Sequence, residues 1–147
     1  QDAPDYDDVV ADVHRFLAEC IFAAEMSGIP KKRIVVDPGF GFGKTTAHNL
    51  ALLAQLDRFA DLGVPVLAGL SRKRSIGAIT GRDDPHARMH GSVAAHLIAA
   101  QHGAKLLRVH DVAATVDALK VWRAVSEVAM PKKSSSTAST IRWPDED

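Results

Sequence analysis

The chain has 147 residues, one ordinary domain's worth, and its 18 Lys+Arg balance 18 Asp+Glu to a formal net charge of zero, without the basic excess of a general nucleic-acid binder. With 46% hydrophobic and 24% charged residues it is composed as a soluble globular protein rather than a disordered one. No membrane span is legible, since the apolar run Ile29–Phe42 still holds Lys31, Lys32, Arg33 and Asp37, and a lone Cys20 excludes an internal disulfide framework and fits a reducing cytoplasm.

Residues 5–27 are expected to form a helix, because Val9, Val13, Phe16, Leu17, Cys20 and Ala24 recur at spacings of three and four. Cys20 on that stripe reads as a small buried hydrophobe. Asp5, Asp7 and Asp8 suit the helix N-terminus, and Gly28 and Pro30 stop it. Arg33–Asp37 is a short β-branched run that predicts a buried strand, bounded by Pro38 and Gly39. A glycine-rich loop, Gly39–Lys44, leads into a helix predicted over about 47–61 and ended by Gly63. Pro65–Leu70 reads as the second strand, followed by the turn Ser71–Ser75, a short helical stretch and a loop over 81–85. Arg88–Gln101 predicts an alanine-rich helix with Gly103 as its C-cap; Lys105–Val109 is the third strand, and Asp111 is placed to cap a last helix running to about Val128. The Ser- and Thr-rich tail from Pro131 is expected to be disordered, dividing the chain into an ordered part over 1–129 and a tail over 130–147.

Apolar strands alternating with helices mean an α/β fold with a parallel sheet and helices expected on both of its faces. The spacing from Asp37 to Ser71 is 34 residues and from Ser71 to Arg108 is 37. A β/α barrel spends roughly 31 residues per unit, so the period fits, and a doubly wound open sheet fits almost as well. Three parallel strands cannot close a barrel. The expected architecture is therefore a partial TIM-type β/α barrel, less than half of one.

Each strand ends in ionisable or hydroxyl side chains: Asp37 on the first, Ser71, Arg72 and Lys73 on the second, Arg108 and His110 on the third. Sites in parallel β/α folds are built at that edge. Arg108 and His110, two apart, share a face of their strand, and Arg108 suits a bidentate grip on phosphate or carboxylate. One carboxylate facing several cations suits a ligand with N–H donors at one end and anionic oxygens at the other. Polar residues are also expected wherever a strand meets solvent; the pattern's repetition on all three strands favours a site.

The loop after Asp37 misses two nucleotide signatures. Gly43-Lys44-Thr45 matches the end of a P-loop, but Pro38 stands where the first Gly belongs, and Lys44 occupies the third Gly position of a dinucleotide fingerprint. The glycines permit close backbone approach, with Phe40 and Phe42 beside them. Phe42 either lies against a flat aromatic ligand or packs under the loop. His14, His48, His86, His90, His96 and His102 have no metal spacing, and most are expected on helix surfaces. Ser71 and Ser92 lack a nucleophile elbow; Ser92 is expected to support packing or hydrogen bonding near its helix start.

Asp37-Pro38-Gly39-Phe40-Gly41-Phe42-Gly43-Lys44, Gly69-Leu70-Ser71-Arg72-Lys73, Gly91-Ser92 and Arg108-Val109-His110-Asp111, in order and with matching spacing from about Tyr6 to Val125, resemble dihydropteroate synthase. The resemblance implies the C-terminal part of a β/α barrel of folate biosynthesis, a sulfonamide target. That family joins 4-aminobenzoate to 6-hydroxymethyl-7,8-dihydropterin diphosphate and releases diphosphate, with Mg2+ assisting. It implies that Asp37 reads the pterin's 2-amino and ring N–H pair, and that Lys73 bonds the ring's acceptor edge and borders the aminobenzoate site. Arg108 and His110 hold the diphosphate, Gly41 and Phe42 line the aminobenzoate pocket, and Ser71 joins the substrate-binding set. Lys73, Arg108 and His110 are the implied catalytic residues. After Ser-Arg-Lys the family usually has Ser, whose hydroxyl and backbone N–H meet the aminobenzoate carboxylate; here that position is Arg74, with the backbone contact expected to survive.

The family's first half, with its Asn for metal and diphosphate, has no counterpart, so the Mg2+ ligand is expected outside this chain. Family members are commonly homodimers, the state expected at full length. The chain opens with Gln1 rather than Met and shows no signal peptide, and it is expected to be a processed or truncated piece. Alone it is expected neither to bind pterin tightly nor to turn over; an upstream segment of about 130 residues is expected to restore activity. Two alternatives are a pterin-binding methyltransferase domain, which does not need the Arg108–His110 clamp, and a non-catalytic partner subunit, which does not need the motifs intact.

Overall fold

The computed structural model describes residues 6–129; the tail expected to be disordered lies outside them. α1 (Val9–Met26) begins where the Asp8 carboxylate accepts the backbone N–H groups of Val10 and Ala11 at 3.0 and 3.1 Å. Val9, Val13, Leu17 and Ile21, spaced four apart, bury one stripe with Val10. Phe16 (62% exposed) and Cys20 do not join it. At about 100° per residue both fall to one side of the 13–17–21 line, so Cys20 is an exposed thiol and not the buried hydrophobe expected.

The first strand is shorter than its composition suggests. Lys31–Arg33 closes a 3-10 turn, and only Val36 enters the sheet, as a parallel bridge to Val66. Its N–H donates to Pro65 C=O at 3.0 Å and its C=O accepts from Leu67 N–H at 2.8 Å. Pro38, without an N–H, cannot extend the ladder. β1 (Leu67–Ala68) pairs in parallel with β2 (Leu106–Leu107), Leu67 opposite Leu106 and Ala68 opposite Leu107. Val36 and β2 use opposite edges of β1, giving three parallel segments in chain order. Val36, Val66 and Ala68 are buried in the core that the helices cover, whereas Val35 and Leu106 are 47% and 42% exposed. Helices therefore do not cover both faces of this sheet among the described residues.

The helix predicted over 47–61 divides. α2 (Thr46–Ala54) is capped by Thr45, whose hydroxyl accepts His48 N–H while the His48 ring accepts Thr45 N–H. A 3-10 helix over Leu56–Leu62 follows. Leu56, Phe59 and Leu62 recur every three residues, and a three-residue turn sets all of them into the core. α3 (Arg74–Thr80), a 3-10 helix over Pro85–Arg88, α4 (Met89–Gln101) and α5 (Val112–Ala129) complete the order.

His96 on α4 is fully buried, against the expected surface position of most histidines. Leu70 N–H donates to Nε2 at 3.2 Å, and Nδ1 donates to Ser92 C=O at 2.7 Å. Only the neutral ring satisfies both bonds, and burial holds its pKa below the ordinary histidine value. The unfolded chain then binds a proton that the folded chain refuses, so stability is full above about pH 6.5 and falls below it. Melting curves from pH 7.5 to 5.5 are expected to lose roughly 3–6 °C per pH unit at the steepest, a slope that His96→Gln flattens. An equally steep slope in the variant would contradict this.

Candidate functional site

The three parallel segments end on the same side of the sheet. Asp37 follows the Val36 bridge, Ser71–Lys73 follows β1, and Arg108–His110 follows β2. Ser71, Arg72, Lys73, Arg108 and His110 line one cleft of about 460 Å³ with Gly69, Pro85 and Val109. Asp37 borders a neighbouring cleft of about 400 Å³ with Tyr6, Phe16, Pro38 and Lys44. Arg108 joins the two, its Nη2 3.1 Å from Asp37 Oδ2. A Cβ at residue 69 would fall 2.6 Å from Arg108 Nη2, so Gly69 is what lets the guanidinium lie across the end of β1.

Asp37 is held by its own loop: Gly39 N–H donates to Oδ1 at 2.8 Å. Gly39, Gly41 and Gly43 all have positive φ, and Gly41 N–H is fixed by Asn49 Oδ1 at 2.8 Å. Buried Asn49 also donates to Ser75 Oγ at 2.9 Å, tying the loop to α3. Phe40 packs beneath the loop at 2% exposed, whereas Phe42 is 66% exposed with Lys73 Nζ 4.4 Å from its ring centroid. Of the two readings of Phe42, packing under the loop is therefore excluded. Lys44 bends back to the carbonyls of Gly39 and Phe42; burial pushes its pKa down, with Asp37 opposing.

Ser71 Oγ accepts the His110 backbone N–H at 3.2 Å and lies 2.8 Å from its Nδ1. With the hydroxyl donating to Nδ1, the proton of the neutral ring sits on Nε2. Arg72 turns away toward Asp111, its Nη2 and Nε 2.9 and 3.3 Å from the two carboxylate oxygens. That pairing raises the Arg72 pKa and lowers that of Asp111. Asp111 precedes α5 as expected, but its carboxylate serves Arg72; its backbone C=O, not its side chain, receives Thr115 N–H and Oγ1. Ser92 holds Arg72 N–H at 2.9 Å, the hydrogen-bonding role expected of it. Arg74 opens α3 and is exposed.

The four strand-end groups Asp37, Lys73, Arg108 and His110 thus stand around one rim, with cations outnumbering the single carboxylate. The arrangement can take a ligand with paired donors against Asp37 and anionic oxygens against Arg108 and His110. Among the described residues no group of three or more His, Cys, Asp or Glu side chains is placed to hold a metal ion. Asp37 and Asp111 are already engaged by guanidinium groups, so this donor set does not fit Mg2+. Asn49, Arg88 and His96 were not singled out as functional by sequence; each is a lone polar residue in a helical or turn stretch, without a local motif.

A family described as pterin binding enzyme matches residues 1–110. The chain is similar to the dihydropteroate synthase of Neisseria meningitidis serogroup C, 54% identical over 127 residues, covering 83% of this chain and 44% of that protein. It is 48% identical over 124 residues to the dihydropteroate synthase of Escherichia coli K12, covering 84% and 44%. Among solved structures it is similar to the dihydropteroate synthase from Xanthomonas albilineans in complex with 7,8-dihydropteroate, with 72% identity and a TM-score of 0.85 over 88% of this chain and 50% of that one. The structure of that enzyme with 4-aminobenzoic acid matches with 72% identity and TM-score 0.85, over 88% and 47%. The chain spans about half the length of the relatives it matches.

Proposed function

Because the chain belongs to the pterin binding enzyme family, we propose that it forms the C-terminal part of a dihydropteroate synthase barrel and carries much of that enzyme's substrate site. The observation that supports this most is the common rim shared by Asp37, Lys73, Arg108 and His110. The partial-barrel reading draws support from the apolar residues Val35 and Leu106 on the uncovered sheet face, where the remaining strands of a barrel would pack.

On this reading the Asp37 carboxylate accepts the pterin's 2-amino and ring N–H donors. Lys73 donates to the opposite, acceptor edge of the ring, and Arg108 and His110 grip the diphosphate. The bond between the pterin methylene carbon and the diphosphate oxygen breaks, and diphosphate leaves with the electron pair. Arg108 and His110 stabilise that departing charge. The pterin-stabilised methylene cation is then attacked by the aniline nitrogen of 4-aminobenzoate, which loses a proton as 7,8-dihydropteroate forms. No covalent bond to the protein is needed. Gly41 and Phe42 line the aminobenzoate side, beside Lys73. Mg2+ would require donors outside the described residues, and no step here uses it.

No helix of the described residues is long and apolar enough to cross a membrane. The lone Cys20 supports a cytoplasmic location. Exposed Val121, Val125 and Val128 on one side of α5 support a homodimer of the completed enzyme.

The test is to join the chain to the N-terminal portion of the Neisseria relative and assay dihydropteroate formation, with the chain alone as control. Turnover by the joined protein and none by the chain alone are expected. A folded joined protein without product would overturn the assignment, and robust turnover by the chain alone would overturn the partial-site reading. In the joined protein, Arg74→Ser exchanges an exposed charge for a hydroxyl near the aminobenzoate carboxylate. Aminobenzoate binding should persist while sulfonamide affinity changes by about 2- to 5-fold. Unchanged affinities for both would sink that role for Arg74.

A further inference from the structure

The turn that presents Ser71 and Lys73 bends through Arg72 at φ +57, the only non-glycine residue in the left-handed region among the described residues. A side chain disfavours that conformation, so something outside the turn must hold it. Two bonds from outside the turn hold its backbone: Ser92 Oγ accepts Arg72 N–H, and Arg88 Nη1 donates to Arg72 C=O at 2.9 Å, while the Arg72 side chain pairs with Asp111. Arg88 is 9% exposed and forms no ion pair among the described residues. Its other bonds run from Nε to Arg82 C=O at 2.8 Å and from Nη2 to Asp83 C=O at 2.6 Å. A Cβ at Gly77 would fall 2.6 Å from Arg88 Nε, so the guanidinium lies in a slot closed on that side. A buried cation satisfied by three carbonyls from two chain segments is a geometric clamp, because the planar fork fixes all three acceptors relative to one another.

We propose that Arg88 is a positioning residue. By tying Arg72 C=O to the 82–83 loop it holds the left-handed turn, and through that turn it sets Lys73 over Phe42 and the Ser71 hydroxyl on His110. It touches no group of the cleft that the proposed reaction uses. Only the kinetic consequence rests on the dihydropteroate synthase reading; the geometric one does not.

Amide hydrogen exchange on the full chain, with Arg88→Lys and Arg88→Met, tests the geometry. Lysine keeps the charge but cannot span three carbonyls. In both variants the Arg72 and Lys73 amides are expected to exchange at least about tenfold faster, while the buried amides of α1 and the C-terminal turn of α4 stay within about twofold. Equal acceleration everywhere, no acceleration at the turn, or failure of both variants to fold would overturn the proposal. In the joined protein, either variant is expected to lower kcat at least about tenfold and to raise KM for the pterin diphosphate, which Lys73 and His110 both contact on this reading. A rise in KM with kcat unchanged would overturn it. Absence of turnover in the unsubstituted joined protein would instead count against the functional reading, and the exchange result would then decide the positioning role alone.

Discussion

Replacing Asp37 by Asn is expected to weaken pterin binding to the joined protein about 100-fold and, in the opposite sense, to tighten binding of inorganic diphosphate about 2- to 5-fold. The first effect follows from what the carboxylate does. Its Oδ1 already accepts Gly39 N–H, and its Oδ2 faces Arg108 at 3.1 Å. Asn puts a donor where the pterin also presents donors and removes the charge, together worth about 3 kcal/mol when charge-assisted bonds are lost. The second effect follows from the ion pair. Arg108 and Asp37 side chains are 58% and 31% exposed, so freeing the guanidinium releases only a modest energy to a new anion. Calorimetric titration with the two ligands separately checks both signs. Weakening of both would mean that Asp37 supports the fold rather than reads a ligand.

Arg108→Met is expected to lower kcat/KM at least about 100-fold, the scale seen when a group stabilising a departing anion is removed. Stability should change little, since the pair it leaves is substantially exposed. Arg108→Lys should recover only part of the rate, because an ammonium cannot bridge two phosphate oxygens from one plane. Steady-state kinetics beside melting curves separate the two effects. A variant with full activity would remove Arg108 from the diphosphate site.

How far the sequence alone reached can be seen in particular residues. The β-branched run at Val35–Val36, the apolar run at Val66–Leu70 and Leu106–Leu107 marked the parallel segments, because burial in a sheet selects for continuous apolar side chains. Their lengths were not legible: Pro38 and the 3-10 turn at Lys31–Arg33 trim the first to one bridge. Periodicity located α1 but misassigned Cys20 and Phe16, which flank the buried stripe. The strand-end residues were legible because each sits at the end of an apolar run. The clamp of Arg88, the anchor of His96 and the tether of Asn49 were not, since the bonds to Arg72, Leu70, Gly41 and Ser75 that give them those roles span 8 to 26 residues and no local pattern records them. Arg72 and Asp111 were both in view, yet their pairing across 39 residues was hidden for the same reason.

The most direct measurement is diffraction from the joined protein crystallised with 7,8-dihydropteroate and diphosphate. We expect the pterin's N–H donors within hydrogen-bond distance of the Asp37 carboxylate, Lys73 on the ring's opposite edge, and diphosphate oxygens on Arg108 and His110. A pterin bound away from Asp37, or a diphosphate that touches neither Arg108 nor His110, would contradict the account.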